Sequence, residues 1–164
     1  MNFRHLAFAG IVALAMSAPV HADVGPYFGV KAGLLDLDAS GHDKALAAGG
    51  VFGYKFFDDN RGSGALEAEV NITAKDGNID NGGDWDATTI GAYFAYRTVG
   101  EVYFKGKAGF ADQNIGGTSA VKDDTIFSLG IGGGWQVNRK AALELEYTTF
   151  HDLSLISIGF VTHF

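Results

Sequence analysis

The feature that most constrains the fold is a period-two alternation of apolar with small or polar residues, repeated in eight segments between Pro26 and Phe164. The clearest segment covers residues 66–73 and reads LEAEVNIT. Successive side chains of a strand point to opposite faces, so this period indicates strands with one apolar face and one polar face. The chain is therefore predicted to be all-β, with eight antiparallel strands.

Composition and connection lengths indicate how these strands are joined. The chain has 24 Gly, which disfavour helices, and only 2 Pro, which would interrupt sheet pairing. Short and long connections alternate. The short ones are residues 58–63, 98–101 and 137–140, and the long ones, rich in Asp, Asn and Gly, are residues 36–45, 75–86 and 111–124. This alternation predicts an up-and-down barrel with both termini at the short-turn end.

The first 22 residues have the pattern of a cleavable export signal. A short polar start precedes an apolar run at residues 6–18, and Val20-His21-Ala22 supplies a small-residue cleavage pattern. The run is too short to cross a bilayer as a helix. We expect residues 1–22 to be a signal peptide and residues 23–164 to form a single β-barrel domain.

Soluble and membrane barrels share this period but differ in which face is apolar. A lipocalin-like barrel keeps apolar side chains inside, whereas a membrane barrel turns them towards lipid. The polar face here carries Gly130, Gly132 and Gly134, which suit a crowded interior better than a solvated surface. The apolar face carries aromatic residues near strand ends, including Trp135 and Phe160, as at a bilayer interface. The pattern favours an eight-stranded transmembrane barrel over a soluble periplasmic one.

Three stretches of the sequence resemble a known family. They are residues 49–56 (GGVFGYKF), 143–147 (LELEY) and 157–164 (SIGFVTHF). In them the mature chain resembles the small eight-stranded outer-membrane barrels of the OmpA/OmpX type, a porin-like barrel family. The last stretch is similar to the family's C-terminal assembly signal at Ser157, Gly159 and Phe164. Thr162 departs from that signal, because an apolar residue is usual there. The resemblance implies an outer-membrane location and insertion by the barrel assembly machinery, and it implies no activity, since the family is functionally mixed.

The predicted interior face carries charges of both signs. They are Lys31, Lys55, Glu67, Glu69, Arg97, Lys105, Lys107, Glu144 and Glu146. An eight-stranded interior is filled by side chains, and an unpaired buried charge is very costly. We therefore expect an ion-pair network that closes the interior and fixes strand register. The functional alternative is a gated polar pathway.

One long connection begins like a calcium-binding loop. Asp76, Asn78 and Asp80 have the spacing of an EF-hand loop. However, Asn81 stands where Gly is needed, and Ala87 stands where a bidentate Glu is needed. We expect a solvated acidic loop without a specific calcium site.

A lipid A deacylase of this fold would need His, Ser and an acidic partner. His151 and Ser154 lie at the loop edge of the last strand, but their spacing is His-x-x-Ser and no acid follows Asp152. Without a group to orient the imidazole, a triad is incomplete. His42 and His163 lack partners at metal-ligand spacing. No catalytic residue, metal site or cofactor is predicted.

These observations predict a non-enzymatic outer-membrane barrel with a structural, envelope-integrity or surface-interaction role. The net charge of −7 argues against nucleic acid as a partner. The expected partners are outer-membrane lipid and lipopolysaccharide, together with the barrel assembly machinery, and the barrel is expected to be a monomer. The alternatives are a lipid-modifying, deacylase-like enzyme and a soluble periplasmic lipocalin-like carrier.

Overall fold

The structure, a computed structural model, describes residues 24–38, 42–79, 83–116 and 124–164. Eight antiparallel strands follow one another in the sheet. They are β1 (Gly25–Leu37), β2 (Ala45–Asp58), β3 (Gly62–Lys75), β4 (Asp84–Thr98), β5 (Val102–Gly116), β6 (Asp124–Asn138), β7 (Ala141–Phe150) and β8 (Leu153–His163). Strand β1 pairs with both β2 and β8, and β3 pairs with β4, so the sheet is closed. The predicted eight-stranded up-and-down barrel is confirmed.

Three connections of two or three residues lie at one end of the barrel, together with the first and last strand ends. In one of them Gly100 has φ of +130°, which a residue with a Cβ rarely adopts. At the other end, β7 and β8 are joined by His151 and Asp152 alone, and the remaining connections are longer. Within the described ranges, no helix is long and apolar enough to cross a membrane. The predicted signal peptide, residues 1–22, lies outside them.

The strands run further into the loop end than the sequence indicated. Our assignment of residues 84–86 and 111–116 to loops is wrong, because β4 begins at Asp84 and β5 continues to Gly116. A two-residue strand, Gly77–Asn78, also pairs with the start of β4. These residues keep the period of two, so the ladder continues through them.

The two faces of the sheet have opposite polarity along most of the barrel. The face that carries Phe104 and Ile131 points outward, and these side chains are 77% and 69% exposed. A lipocalin-like barrel would bury them and expose the charges instead. The outward apolar face is therefore what a membrane barrel requires.

The interior has two sections along its axis. At the short-turn end it is polar and contains the charged side chains. At the loop end it is filled by an apolar cluster, which we call the loop-end plug. Its members are Leu35, Leu37, Ala45, Ala47, Trp85, Ala87, Tyr93, Ala111, Ile115, Phe150, Leu153 and Leu155. Trp85, which we had expected in a solvated loop, is fully buried in this plug and donates its indole N–H to the Asp43 carbonyl, at 2.9 Å.

Candidate functional site

The candidate site is the charged section of the interior. The residues that form ion pairs with one another there, called the interior network below, are Lys31, Glu67, Glu69, Arg97, Lys105, Lys107, Glu144 and Glu146. Lys55, which we had placed with them, shares their face but not their partners. Its ammonium pairs with Asp58 near the short turns, at 2.6 Å.

Arg97 organises the part of the interior network nearest the short turns. Its guanidinium donates to Glu67 at 2.6 Å and to Glu144 at 2.7 Å. Two phenols complete this part, because Tyr27 donates to Glu67 at 2.5 Å and Tyr103 donates to Glu144 at 2.6 Å. Charge-assisted bonds of this kind are stronger than neutral ones, so the geometry holds both carboxylates in place.

Lys107 organises the part nearer the loops. Its ammonium lies 2.6 Å from Glu69 and 2.7 Å from Glu146, and it also lies 4.3 Å from the centroid of the Tyr93 ring. Lys31 adds a second cation, 2.5 Å from Glu69. Tyr93 in turn donates to the Ser128 hydroxyl at 3.3 Å, where the polar section meets the loop-end plug.

Lys105 joins the two parts. Its ammonium lies 3.1 Å from Glu67, 3.0 Å from Glu144 and 2.8 Å from Glu146. The interior network thus contains four cations and four carboxylates, and its charges balance. Balance and full pairing are the conditions under which buried charges are tolerated.

Three of the carboxylates have oxygens close enough to surround a cation. Those of Glu67, Glu69 and Glu146 lie within 4.8 Å of one another. Lys105 and Lys107 already place their ammonium groups against these oxygens. The arrangement is therefore a set of ion pairs, and we do not assign a metal site to the three glutamates.

Glycines make room for the long charged side chains. Every member of the interior network except Arg97 lies directly across from a glycine on a neighbouring strand. A Cβ at Gly130 would lie 2.6 Å from Cε of Lys107, which is too close for a real contact. The glycine face that indicated an interior in the sequence therefore has a steric cause.

The prediction from the sequence named the charged residues of the interior but omitted three tyrosines. Tyr27, Tyr93 and Tyr103 occupy the same alternate positions as the charged residues of their strands, so the period of two already placed them inside.

The residues of the predicted assembly signal are spread along the last strand. Ser157 is buried in the interior, 2% exposed, and Gly159 lies opposite Lys31 and Glu144. Phe164 follows the end of β8, and its backbone N–H donates to the Pro26 carbonyl at 3.3 Å. Their role in assembly stays a prediction.

The two weaker motifs from the sequence are the His151-x-x-Ser154 pair and the calcium-like loop. The His151 side chain is 75% exposed, and its nearest acidic partner is the adjacent Asp152, at 3.8 Å. Among the described residues no hydrogen bond joins His151 to Ser154. In the calcium-like loop, Asp80 and Asn81 lie outside the described residues, and Ala87 is fully buried in the loop-end plug.

Solved structures with the same fold belong to membrane proteins. Neisserial surface protein A is 16% identical, with a TM-score of 0.57 over 86% of this chain and 97% of that one. Ail of Yersinia pestis, in complex with the heparin analogue sucrose octasulfate, is 13% identical, with a TM-score of 0.54 over 88% of this chain and 100% of that one. The N-terminal β-barrel domain of Pseudomonas aeruginosa OprF is 16% identical, with a TM-score of 0.53 over 86% of this chain and 99% of that one.

At these identities the likeness shows the fold alone. A search of curated protein sequences finds no match. The family assignment comes from the sequence, because the family model described as "Outer membrane protein beta-barrel domain" matches residues 6–162. The chain therefore belongs to the outer membrane protein β-barrel domain family and is a protein of the outer membrane.

Proposed function

We propose that this protein is a closed, non-enzymatic barrel that contributes to the integrity of the outer membrane and presents its long connections at the cell surface. The observation that carries the proposal is the filling of the interior by two stacked layers. The interior network occupies one section, and the loop-end plug occupies the other. A solute crossing the barrel would have to disrupt both layers.

The two layers oppose different solutes. Ions meet the apolar plug, where Trp85 and Phe150 are fully buried and offer no replacement for a hydration shell. Apolar solutes would have to pass the paired charges of the interior network. Within that section lies a cavity of about 20 Å³, which is large enough for one water molecule.

The orientation follows from the general architecture of such barrels, whose short turns face the periplasm and whose long loops face outward. The loop end of the barrel is acidic, with Asp36, Asp76 and Asp112 among its residues. We infer that lipopolysaccharide and outer-membrane lipid surround the barrel, that it acts as a monomer, and that the barrel assembly machinery inserts it. Deletion of Phe164 tests the last inference, and it should lower the amount of folded barrel recovered from membranes.

Planar-bilayer recording tests closure directly. The purified barrel should show no steady conductance, and the outward variant Trp135→Ala, which leaves both layers intact, should behave identically. Removal of plug side chains in the variant Trp85→Gly/Phe150→Ala should raise the frequency of opening. Steady openings in the unmodified barrel would refute the closed state.

Envelope function is tested in cells that lack the protein. We expect greater sensitivity to detergent and to large antibiotics, restored by the full chain. A variant with the connection between β5 and β6, residues 117–123, shortened to a tight turn separates the two parts of the proposal. It should restore resistance while losing surface interactions. Release of fatty acids from lipid A by the purified barrel, detected by mass spectrometry, would contradict the non-enzymatic assignment.

A further inference from the structure

A larger cavity opens at the short-turn end, on the periplasmic side of the interior network. Its volume is about 300 Å³. Arg97 and Tyr103 line its inner part, and Lys55, Lys140 and His163 line it closer to the turns. It is distinct from the interior network, because most of its lining residues take no part in the ion pairs described above.

The lining of this cavity, which we call the basic mouth, is unequally charged. Its cationic residues are Lys55, Arg97, Arg139 and Lys140, and Asp58 is the acidic residue among those that line it. Asp58 is paired with Lys55, and Arg97 is held by two glutamates. Arg139 and Lys140 form no ion pair with any described residue. The basic mouth therefore carries positive charge that no described residue neutralises through an ion pair.

Neutral donors accompany these cations. Ser63, Gln136 and Asn138 line the same cavity. The Asn138 carboxamide oxygen accepts the Lys140 backbone N–H at 2.8 Å, which leaves its NH₂ group as a donor. The pairing of β6 with β7 is irregular between Gln136 and Asn138, and a bulge at a barrel rim turns side chains away from the ladder.

We propose that the basic mouth binds a phosphate-type oxyanion on the periplasmic side, a property that goes beyond the proposed envelope role. Two uncompensated cations and several neutral donors around one concave space match the acceptor-only chemistry of such an anion. A volume of about 300 Å³ lies at the lower end of small-ligand pockets. It accommodates free phosphate or the phosphate of a lipid headgroup.

Titration of the full-length mature barrel with inorganic phosphate, in maltoside micelles at constant ionic strength, tests the proposal. The NMR resonances of the His163 ring and of the Gln136 and Asn138 side-chain amides should shift and saturate. Arg139→Gln should weaken binding about tenfold, as expected for loss of one cation about 5 Å from a dianion in water. Arg61→Gln makes the same charge change at the same end, but Arg61 does not line the cavity, so affinity should not change.

A parallel titration with short-chain phosphatidylglycerol identifies the source of the anion. Saturable shifts with the lipid alone assign the site to a headgroup, and shifts with inorganic phosphate alone assign it to a free anion. Lys140→Gln repeats the test if Arg139→Gln lowers the melting temperature. No saturable shift with either ligand, or equal weakening by Arg139→Gln and Arg61→Gln, would overturn the proposal.

Discussion

Replacement of Lys105 by Met should destabilise the barrel far more than removal of a charge from its surface. The Lys105 side chain is 4% exposed, and its ammonium lies within 3.1 Å of oxygens of three glutamates. Methionine fills a similar volume and removes only the charge. The interior network would then hold three cations against four carboxylates, with one negative charge buried and uncompensated.

The expected loss of unfolding free energy follows from that charge imbalance. Removing one partner of a buried ion pair costs about 3–5 kcal/mol of unfolding free energy, because the remaining charge stays desolvated. Lys44→Met is the matched control, since Lys44 lies 3.0 Å from Asp36 and the two side chains are 53% and 45% exposed. An exposed pair of this kind contributes at most about 1 kcal/mol.

Urea unfolding of the barrel in short-chain phosphatidylcholine vesicles, followed by Trp fluorescence, measures both changes. Adding Glu144→Gln to Lys105→Met restores the balance at three charges of each sign, so the double variant should lose less than the sum of the two single losses. Equal, small losses for Lys105→Met and Lys44→Met would refute the reasoning, because the interior charges would then behave as solvated groups.

Three further outcomes are expected. Gly130→Leu should cost about 1–3 kcal/mol in the same assay, because its side chain would overlap Lys107, whereas Gly106→Leu should cost nothing, since a Cβ there meets no atom within 4 Å. Trp85→Ala should cost about 3–5 kcal/mol by leaving a cavity in the loop-end plug. Nitroxide labels on β5 should be reached by oxygen dissolved in lipid at Phe110 and by a water-soluble nickel complex at Asp112, and the same accessibility at both would contradict a membrane surface between them.

The period of two predicted the strands and the face of each side chain, because a pleated strand alternates strictly. It therefore placed Lys105, Lys107 and Glu144 inside. It did not fix their heights along the barrel axis, which depend on the register between strands. Lys55 shows the difference. It shares the inward face of Gly49, which lies opposite Lys31, but it is six residues nearer the short turns and pairs with Asp58 instead.

The strand ends were underestimated for a chemical reason. Asp, Asn and Gly accumulate in residues 75–86 and 111–124, and such composition usually marks a connection. Here many of these polar residues lie on the outer face of continuing strands, and the alternate positions hold Trp85, Ala87 and Ile115. Extending the alternation past the first Asp would have identified the loop-end plug.

The loop-end plug is apolar and the interior network is charged because different media surround the barrel at these two levels. On β5 the outer face changes from Phe110 to Asp112, while the inner face changes from Lys107 to Ala111 and Ile115, with Gln113 buried between the last two. Next to hydrocarbon, an apolar interior gains little, since lipid tails are as apolar as the side chains, and packing and paired charges must stabilise the barrel. Where water replaces lipid outside, burying apolar groups inside becomes favourable again, as in a soluble protein. A change of polarity on both faces is expected at the edge of the bilayer, and we therefore expect the outer surface of the membrane to lie near residues 110–112 of β5.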